Sequence, residues 1–322
     1  MKTFTRHLDT RLLTPEALAS HPWFRDLLQL WRPAGTPTEE VNDEIAMLRL
    51  AIRGGYVNFY CGGQSVAKVK FGKERFVGEI HHKYLPGSTP SDPSYVKTTQ
   101  PQWNGTRGNV ADWMEATAKH QGDEKKFVER IVAANANVID LEMALPAQEG
   151  SRSATRMDIV ALERLGDGWQ VVFWEAKMVS NPEARSTGIP RVIAHQRKNY
   201  LDWLAKDGAI ECVLEAYRNT CCLLVELHKF VKNQGWPIAP LGDGIVAVAA
   251  KRELLTGVDC GIRLVIDNEA ADKNFEAKHL PRLLGIGETA FDWMPVFMVD
   301  KGVVPELPPL ERLVEFKHGF HA

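Results

Sequence analysis

The sequence predicts an α/β protein: a mixed sheet flanked by helices, preceded by a small N-terminal α+β unit. Three observations carry that prediction. Apolar residues recur at helical spacing in 123–134, with Phe127, Val128, Ile131 and Val132, and helical stretches are read again in 189–204 and 210–231. Two strand-like runs, Thr155–Leu162 and Gln170–Lys177, flank the turn residues Gly166-Asp167-Gly168, the signature of an antiparallel hairpin. A strand–helix–strand crossover then follows the hairpin, and that combination gives a mixed sheet with helices on both faces.

Taken in order, the chain opens with a helix-like stretch, Glu40 to Arg53, with Val41, Ile45, Leu48 and Leu50 among its apolar positions. Strand-like runs follow at 56–60, 65–71 and 75–80, the first pair separated by a Cys-Gly-Gly turn. The basic residues of this meander (Lys68, Lys70, Lys73, Arg75, Lys83) suit either contact with a polyanion or the polar face of a half-exposed sheet. Ser88 to Asn109 is rich in Ser, Thr, Pro, Gly and Asn and reads as a linker or long surface loop. The boundaries expected are therefore 1–87 for a recognition or dimerisation unit, 88–110 for the linker, 111–300 for the main domain and 301–322 for a tail. Within the main domain the expected order is a helix at 123–134, a strand at Val138–Leu145, the hairpin, helices at 189–204 and 210–231, and buried strands at Gly244–Ala250 and Ile262–Ile266.

Composition excludes several classes. With 44% hydrophobic and 25% charged residues, the 322-residue chain has the balance of a soluble globular protein. No apolar run approaches the roughly 20 residues of a membrane span, and the first residues lack the apolar core of a signal peptide. Five cysteines (61, 212, 221, 222, 260), odd in number and without Cys-x-x-Cys spacing, fit free thiols in a reducing cytoplasm. A formal net charge of −2 does not describe a protein coated with nucleic acid, but a local cationic groove remains open. Ala184–Lys198 is one such stretch, carrying Arg185, Arg191, Arg197, Lys198 and His195 and no acid.

The chemistry concentrates in the hairpin. Folding it about its centre, between Gly166 and Asp167, sets Asp158 opposite Glu175, and strand alternation puts Lys177 on the face of Glu175. Opposed residues have Cβ atoms roughly 5 Å apart, so two carboxylates and an amine meet at one end. Such a pair suits a hard divalent cation, and the amine suits a phosphate or a nucleophilic water. Acid-x-Lys also occurs at Asp123, Glu124, Glu276 and Glu315. The first three lie in helix-like sequence. Glu315 lies so near the C-terminus that no helix or strand is expected to complete a core around it. Only Glu175 has an acid partner across a compact hairpin.

In this region, roughly residues 119–250, the chain resembles the PD-(D/E)XK nuclease superfamily, whose restriction-endonuclease-like core runs helix, three strands, helix, strand. The resemblance implies that Asp158 and Glu175 hold Mg²⁺ (or Mn²⁺) with the carbonyl of Ala176, and that Lys177 positions the attacking water. Met157 stands where the family name has proline, a position that varies in the superfamily. Glu124, three, four and seven residues before Phe127, Val128 and Ile131, falls on the inward face of its helix and matches the Glu of the family's first core helix; Glu129 falls off that face and reads as a solvent residue. Gln196-Arg-Lys-Asn-Tyr200 resembles the Gln-x-x-x-Tyr motif of RecB-like members, and i, i+4 spacing puts Gln196 and Tyr200 on one helix face. What the resemblance implies is a cytoplasmic, metal-dependent DNA nuclease of restriction, repair or phage defence, with RNA a lesser candidate substrate. It acts as a homodimer if it cuts both strands. Arg156, Arg185, Arg191, Arg197 and Lys198 are the expected phosphate contacts. The contrary expectation is a non-catalytic binding or assembly module on a degenerate nuclease core.

Overall fold

The computed structural model describes residues 4–37, 40–41, 44–45, 47–87, 94–99, 109–146, 156–185, 192–286 and 294–319. Helices α1 (Pro15–Ala19) and α2 (Pro22–Leu30) come first, followed by the short strands β1 (Glu40–Val41) and β2 (Glu44–Ile45). An antiparallel sheet of five strands then forms in sequence order from β3 (Arg49–Ile52), β4 (Tyr56–Cys61), β5 (Gln64–Phe71), β6 (Phe76–His81) and β7 (Tyr95–Lys97). Alternation sends Val57, Phe59, Val69, Phe76, Ile80 and Val96 to the core. There Phe24 of α2 meets Phe59, Phe71 and Phe76, with ring centroids 6.4, 5.8 and 4.6 Å away. The helix expected at Glu40–Arg53 is not formed; Arg49–Ile52 is a strand paired with β4. Leu48, Leu50 and Ile52 repeat every second residue, and that period won over the helical reading. Tyr95–Lys97, inside the expected linker, is the edge strand of this sheet.

The second sheet carries the hairpin. Ahead of it come α3 (Val110–Ala118), started by a capping box between Asn109 and Asp112, and α4 (Asp123–Ala134). The strands β8 (Val138–Ala144), β9 (Arg156–Leu165) and β10 (Gly168–Met178) pair antiparallel. A π-helical turn at Val192–Arg197 leads into α5 (Lys198–Leu204), α6 (Ala209–Asn233) and α7 (Asp243–Ala250). The chain then returns through β11 (Leu255–Asn268), parallel to β10. Helices α8 (Lys273–Lys278) and α9 (Leu280–Leu283) lead to β12 (Val296–Asp300), parallel to β11, and α10 (Leu310–Gly319) ends the described chain. The sheet order is β12-β11-β10-β9-β8. The described residues thus form a mixed α/β structure with two five-stranded sheets.

Two hydrophobic clusters line the second sheet. On β10, Val171 and Phe173 belong to the larger cluster, while Val172, Trp174 and Ala176 belong to the smaller one beneath α4. The larger cluster also holds the core of the first sheet, so one apolar continuum runs from Phe4 to Val296. Buried ion pairs join the units: Arg49 of β3 to Glu129 of α4 at 2.7 Å, and Arg6 and Arg53 to Asp140 of β8. Glu129 is therefore not a solvent residue: at 4% exposure it is the partner that neutralises a buried guanidinium, which helix periodicity alone does not reveal. Gly244–Ala250, expected as a strand, is helix α7. Ile245 and Val248 are buried at i, i+3 and Val246 is exposed, a pattern too short to distinguish from a buried strand by apolarity. The expectation that nothing completes a core near Glu315 also fails, because Leu313 of α10 is buried in the smaller cluster.

Candidate functional site

The hairpin register places the acids. Gly166, at φ +54, takes the left-handed turn position that a side chain resists. The pairing runs from Gly168↔Leu165 to Trp174↔Ile159. One further step sets Asp158 opposite Glu175, and the backbone N–H of Ala176 donates to Asp158 Oδ2 at 3.0 Å. Alternation then aims Glu175 and Lys177 to the same side as Val171 and Phe173, with the Ala176 side chain opposite.

Asp158, Glu175 and Lys177 are all buried. Lys177 Nζ donates to Glu175 Oε1 at 2.7 Å and lies 3.5 Å from Glu183 and 3.8 Å from Glu124. Gln196 Nε2 reaches in from the π-helical turn and donates to the same Glu175 oxygen at 2.7 Å. Glu175 Oε2, by contrast, is buried with no hydrogen-bond partner. Burial first, and the charge of Asp158 second, push the Glu175 carboxyl up to about 8, against the opposing pull of Lys177 and Gln196. Burial works against the Lys177 ammonium, but Glu175, Asp158 and Glu124 outweigh it and hold its pKa above the usual lysine range. A lysine so held favours its charged form, which suits orienting a water or clamping a phosphate.

Several expected residues converge and several do not. Glu124 does: Asn181 Nδ2 donates to its Oε2 at 2.8 Å beside Lys177. Tyr200 does not bring its hydroxyl to the site. It is fully buried, packs edge-on against Phe173 and donates to Met143 Sδ at 3.2 Å. The reason is packing: Tyr200 lies within the larger apolar cluster, while Gln196 sits in the wider π-helical turn. Among the expected phosphate contacts, Arg185 is paired with Asp272 and Lys198 with Asp202, which leaves neither pointing a free charge at the acids. Arg197 is half-buried at the end of the π-helical turn. Arg156 is exposed, on the strand of Asp158. Arg191 lies outside the described residues.

Sequence reasoning missed four neighbours. Glu183 and Asn181 sit on the turn after β10, and Lys125 and Glu142 lie on the far side of Asp158. Lys125 Nζ is 3.9 Å from Asp158 Oδ1 and is paired with Glu142 Oε1. By the register Leu141↔Ile159 and Met143↔Met157, Glu142 stands opposite Asp158, so three acids line up across β8, β9 and β10. Glu142 has φ +50, a left-handed backbone that costs a non-glycine residue about 1–2 kcal/mol. A two-strand reading could not find Glu142, because its partnership depends on the third strand.

Among the described residues no group of three or more His, Cys, Asp or Glu side chains forms a metal-holding cluster. Two carboxylates and the Ala176 carbonyl are a hard-oxygen set of the kind that holds Mg²⁺ with its remaining positions taken by water. A cation would give the orphaned Glu175 Oε2 a partner, and it would oppose the burial and the Asp158 charge that raise the Glu175 pKa. The residues present therefore fit such an ion. Comparison of the chain with protein-family models, with curated proteins and with solved structures returned no match.

Proposed function

We propose that the protein is a divalent-metal-dependent nuclease that hydrolyses phosphodiester bonds of DNA. The observation that carries this reading is the Asp158–Glu175–Lys177 constellation with one carboxylate oxygen buried and unpartnered. Its setting adds support. A helix, three antiparallel strands, a helical crossover and a parallel strand follow in order from α4 to β11, the succession expected of a restriction-endonuclease-like core. Glu124 and Gln196 enter from elements on either side of the acids.

When bound, the cation would lower the pKa of a coordinated water and screen the charge of the transition state. Asp158, Glu175 and the Ala176 carbonyl would hold it. Lys177, kept charged by its acidic neighbours, orients the water or grips the scissile phosphate. Gln196 fixes the Glu175 carboxylate through Oε1, which leaves Oε2 without a protein partner.

The test is cleavage of linear, circular and single-stranded DNA and of RNA with Mg²⁺ or Mn²⁺. Glu175→Ala and Lys177→Ala should each lower the rate by roughly 10³-fold or more. Glu276→Ala, at an acid-x-Lys on α8, should cut normally. Normal cleavage by both site variants sinks the assignment. A second reading has its own observation: Lys177 lies within 4 Å of three carboxylates and so offsets part of their charge and holds them together without a metal. On that reading the chain is a binding or assembly module, and neither Mg²⁺ nor Mn²⁺ raises its melting temperature in a manner that Asp158→Asn removes.

A further inference from the structure

The outer face of the first sheet has features that its stability does not require. Its core face is apolar, but the opposite face of β4 to β7 carries Tyr56, Lys68, His81 and Tyr95. These residues floor a cleft of about 540 Å³ whose far wall is Lys125 of α4, Glu142 and Ala144 of β8 and Arg156 of β9. The lining is cationic and aromatic. Its one acid among the described residues, Glu142, is already engaged by Lys125 and lies 3.9 Å from Arg156. Glu79, the acid across from Lys68 on the same face, is held by Lys70 and Lys97. Lys68 instead lies over the Tyr95 ring, 4.2 Å from its centroid, and Lys83 lies 4.7 Å from that of Tyr84. Burial first, and then His82, Lys83, Lys68 and His120, hold the His81 pKa below the usual imidazole value.

We propose that this cleft is the docking platform for a single-stranded stretch of polynucleotide, with bases stacked on Tyr95 and Tyr56, phosphates on Lys68, Lys83 and Arg156, and the strand led past Lys125 to Asp158. Charge complementarity and ring placement select this occupant. A positively charged groove with aromatic faces is the arrangement that holds single strands without reading sequence, because every unpaired base offers a π-face. In a duplex those faces are stacked away. The cleft is also in the size range of small-ligand pockets, about 300–1,000 Å³, which seats a short stretch of strand and no double helix. The cleft adjoins the acids, since Lys125 lines it and lies 3.9 Å from Asp158 Oδ1. Delivery to the acids rests on the nuclease reading; strand binding does not.

Fluorescence anisotropy with the full chain in EDTA, where metal-dependent cleavage is silent, separates the two. The probes are labelled oligo(dT), oligo(rU) and a duplex of equal length. Both single strands should bind more tightly than the duplex, and a preference between them names the polymer. Tyr95→Ala should weaken single-strand binding roughly 5- to 100-fold. The Lys68→Ala/Lys83→Ala double variant should reduce the slope of log K against log salt by about 1.4. Lys229→Ala/Lys232→Ala, an equal loss of charge on the exposed side of α6, should leave both values unchanged, and melting curves confirm that each variant folds. Platform variants that bind like the parent, or a preference for duplex, overturn the platform. Strand binding that persists while no metal elicits cleavage supports the platform and removes the nuclease reading.

Discussion

Asp140 on β8 and Glu175 on β10 lie in the same sheet, both buried and both touching a cation, yet the chain treats them oppositely. Every side of Asp140 is used. Arg6 and the Tyr217 hydroxyl donate to Oδ2 at 2.9 and 3.2 Å, and the Leu141 N–H donates to Oδ1 at 2.8 Å beside Arg53. Burial pushes its pKa up, but Arg53 and Arg6 overcome that and hold it below the usual range. Glu175 keeps one oxygen idle, and its pKa is raised. The first arrangement is a structural clamp between the two sheets. The second leaves one carboxylate oxygen without a partner, where a ligand would complete it. The difference teaches that burial of an acid says little by itself; whether its lone pairs are satisfied separates a structural role from a ligand-holding one.

The comparison breaks most easily at Asp140. Asp140→Ala leaves two guanidiniums without their buried counterion and should cost about 3–5 kcal/mol of stability, read by urea unfolding. A loss below about 1 kcal/mol would deny the clamp its role.

The two acids should also respond to pH with opposite signs. Because the Asp140 pKa is depressed in the fold, its contribution is present above the ordinary value of 3.8 and is lost as pH falls through the lower folded value. Glu175 is raised from 4.5 to about 8, so the folded state keeps a proton that the unfolded state has released. Its contribution therefore declines as pH rises from about 4.5 to about 8, by no more than about 1.4 kcal/mol per pH unit. Glu175→Gln should flatten the upper limb and Asp140→Asn the lower one. Unfolding free energies from pH 3 to 9 without metal check both, and an unchanged upper limb in Glu175→Gln contradicts the assignment.

The smallest expected effect sharpens the contrast most. Without metal at pH 5, where the folded-state Glu175 carboxyl still keeps its proton, Glu175→Gln replaces one neutral group with another and should change stability by about 1 kcal/mol or less, toward gain. The same variant should lose any stabilisation by Mg²⁺. A loss of several kcal/mol, like that expected at Asp140, would mean that Glu175 too is a structural member of an ion pair.

Much of the site was legible because it depends on one local rule. A two-strand hairpin with a Gly-Asp-Gly turn fixes its own register, and a sheet's period of two then decides which side chains share a face. Asp158, Glu175 and Lys177 followed from that alone. Helix α4 was equally legible from Phe127, Val128, Ile131 and Val132, and Glu124 came with it. Tyr200 misled, because i, i+4 spacing gives a shared face but not what that face packs against. Residues 244–250 misled because a short apolar run carries no decisive period.

By itself, the sequence determined the local patterns: which segments alternate with period two, where the chain turns, and therefore that two acids and a lysine gather at one hairpin end. Only the tertiary structure decided the third acid, Glu142, the clamp on Asp140, the burial of Glu129 against Arg49 and the cleft over Tyr95 and Lys68. Each of those joins residues far apart in the chain. Such contacts are set by how sheets and helices pack, which no nearest-neighbour pattern in the sequence encodes.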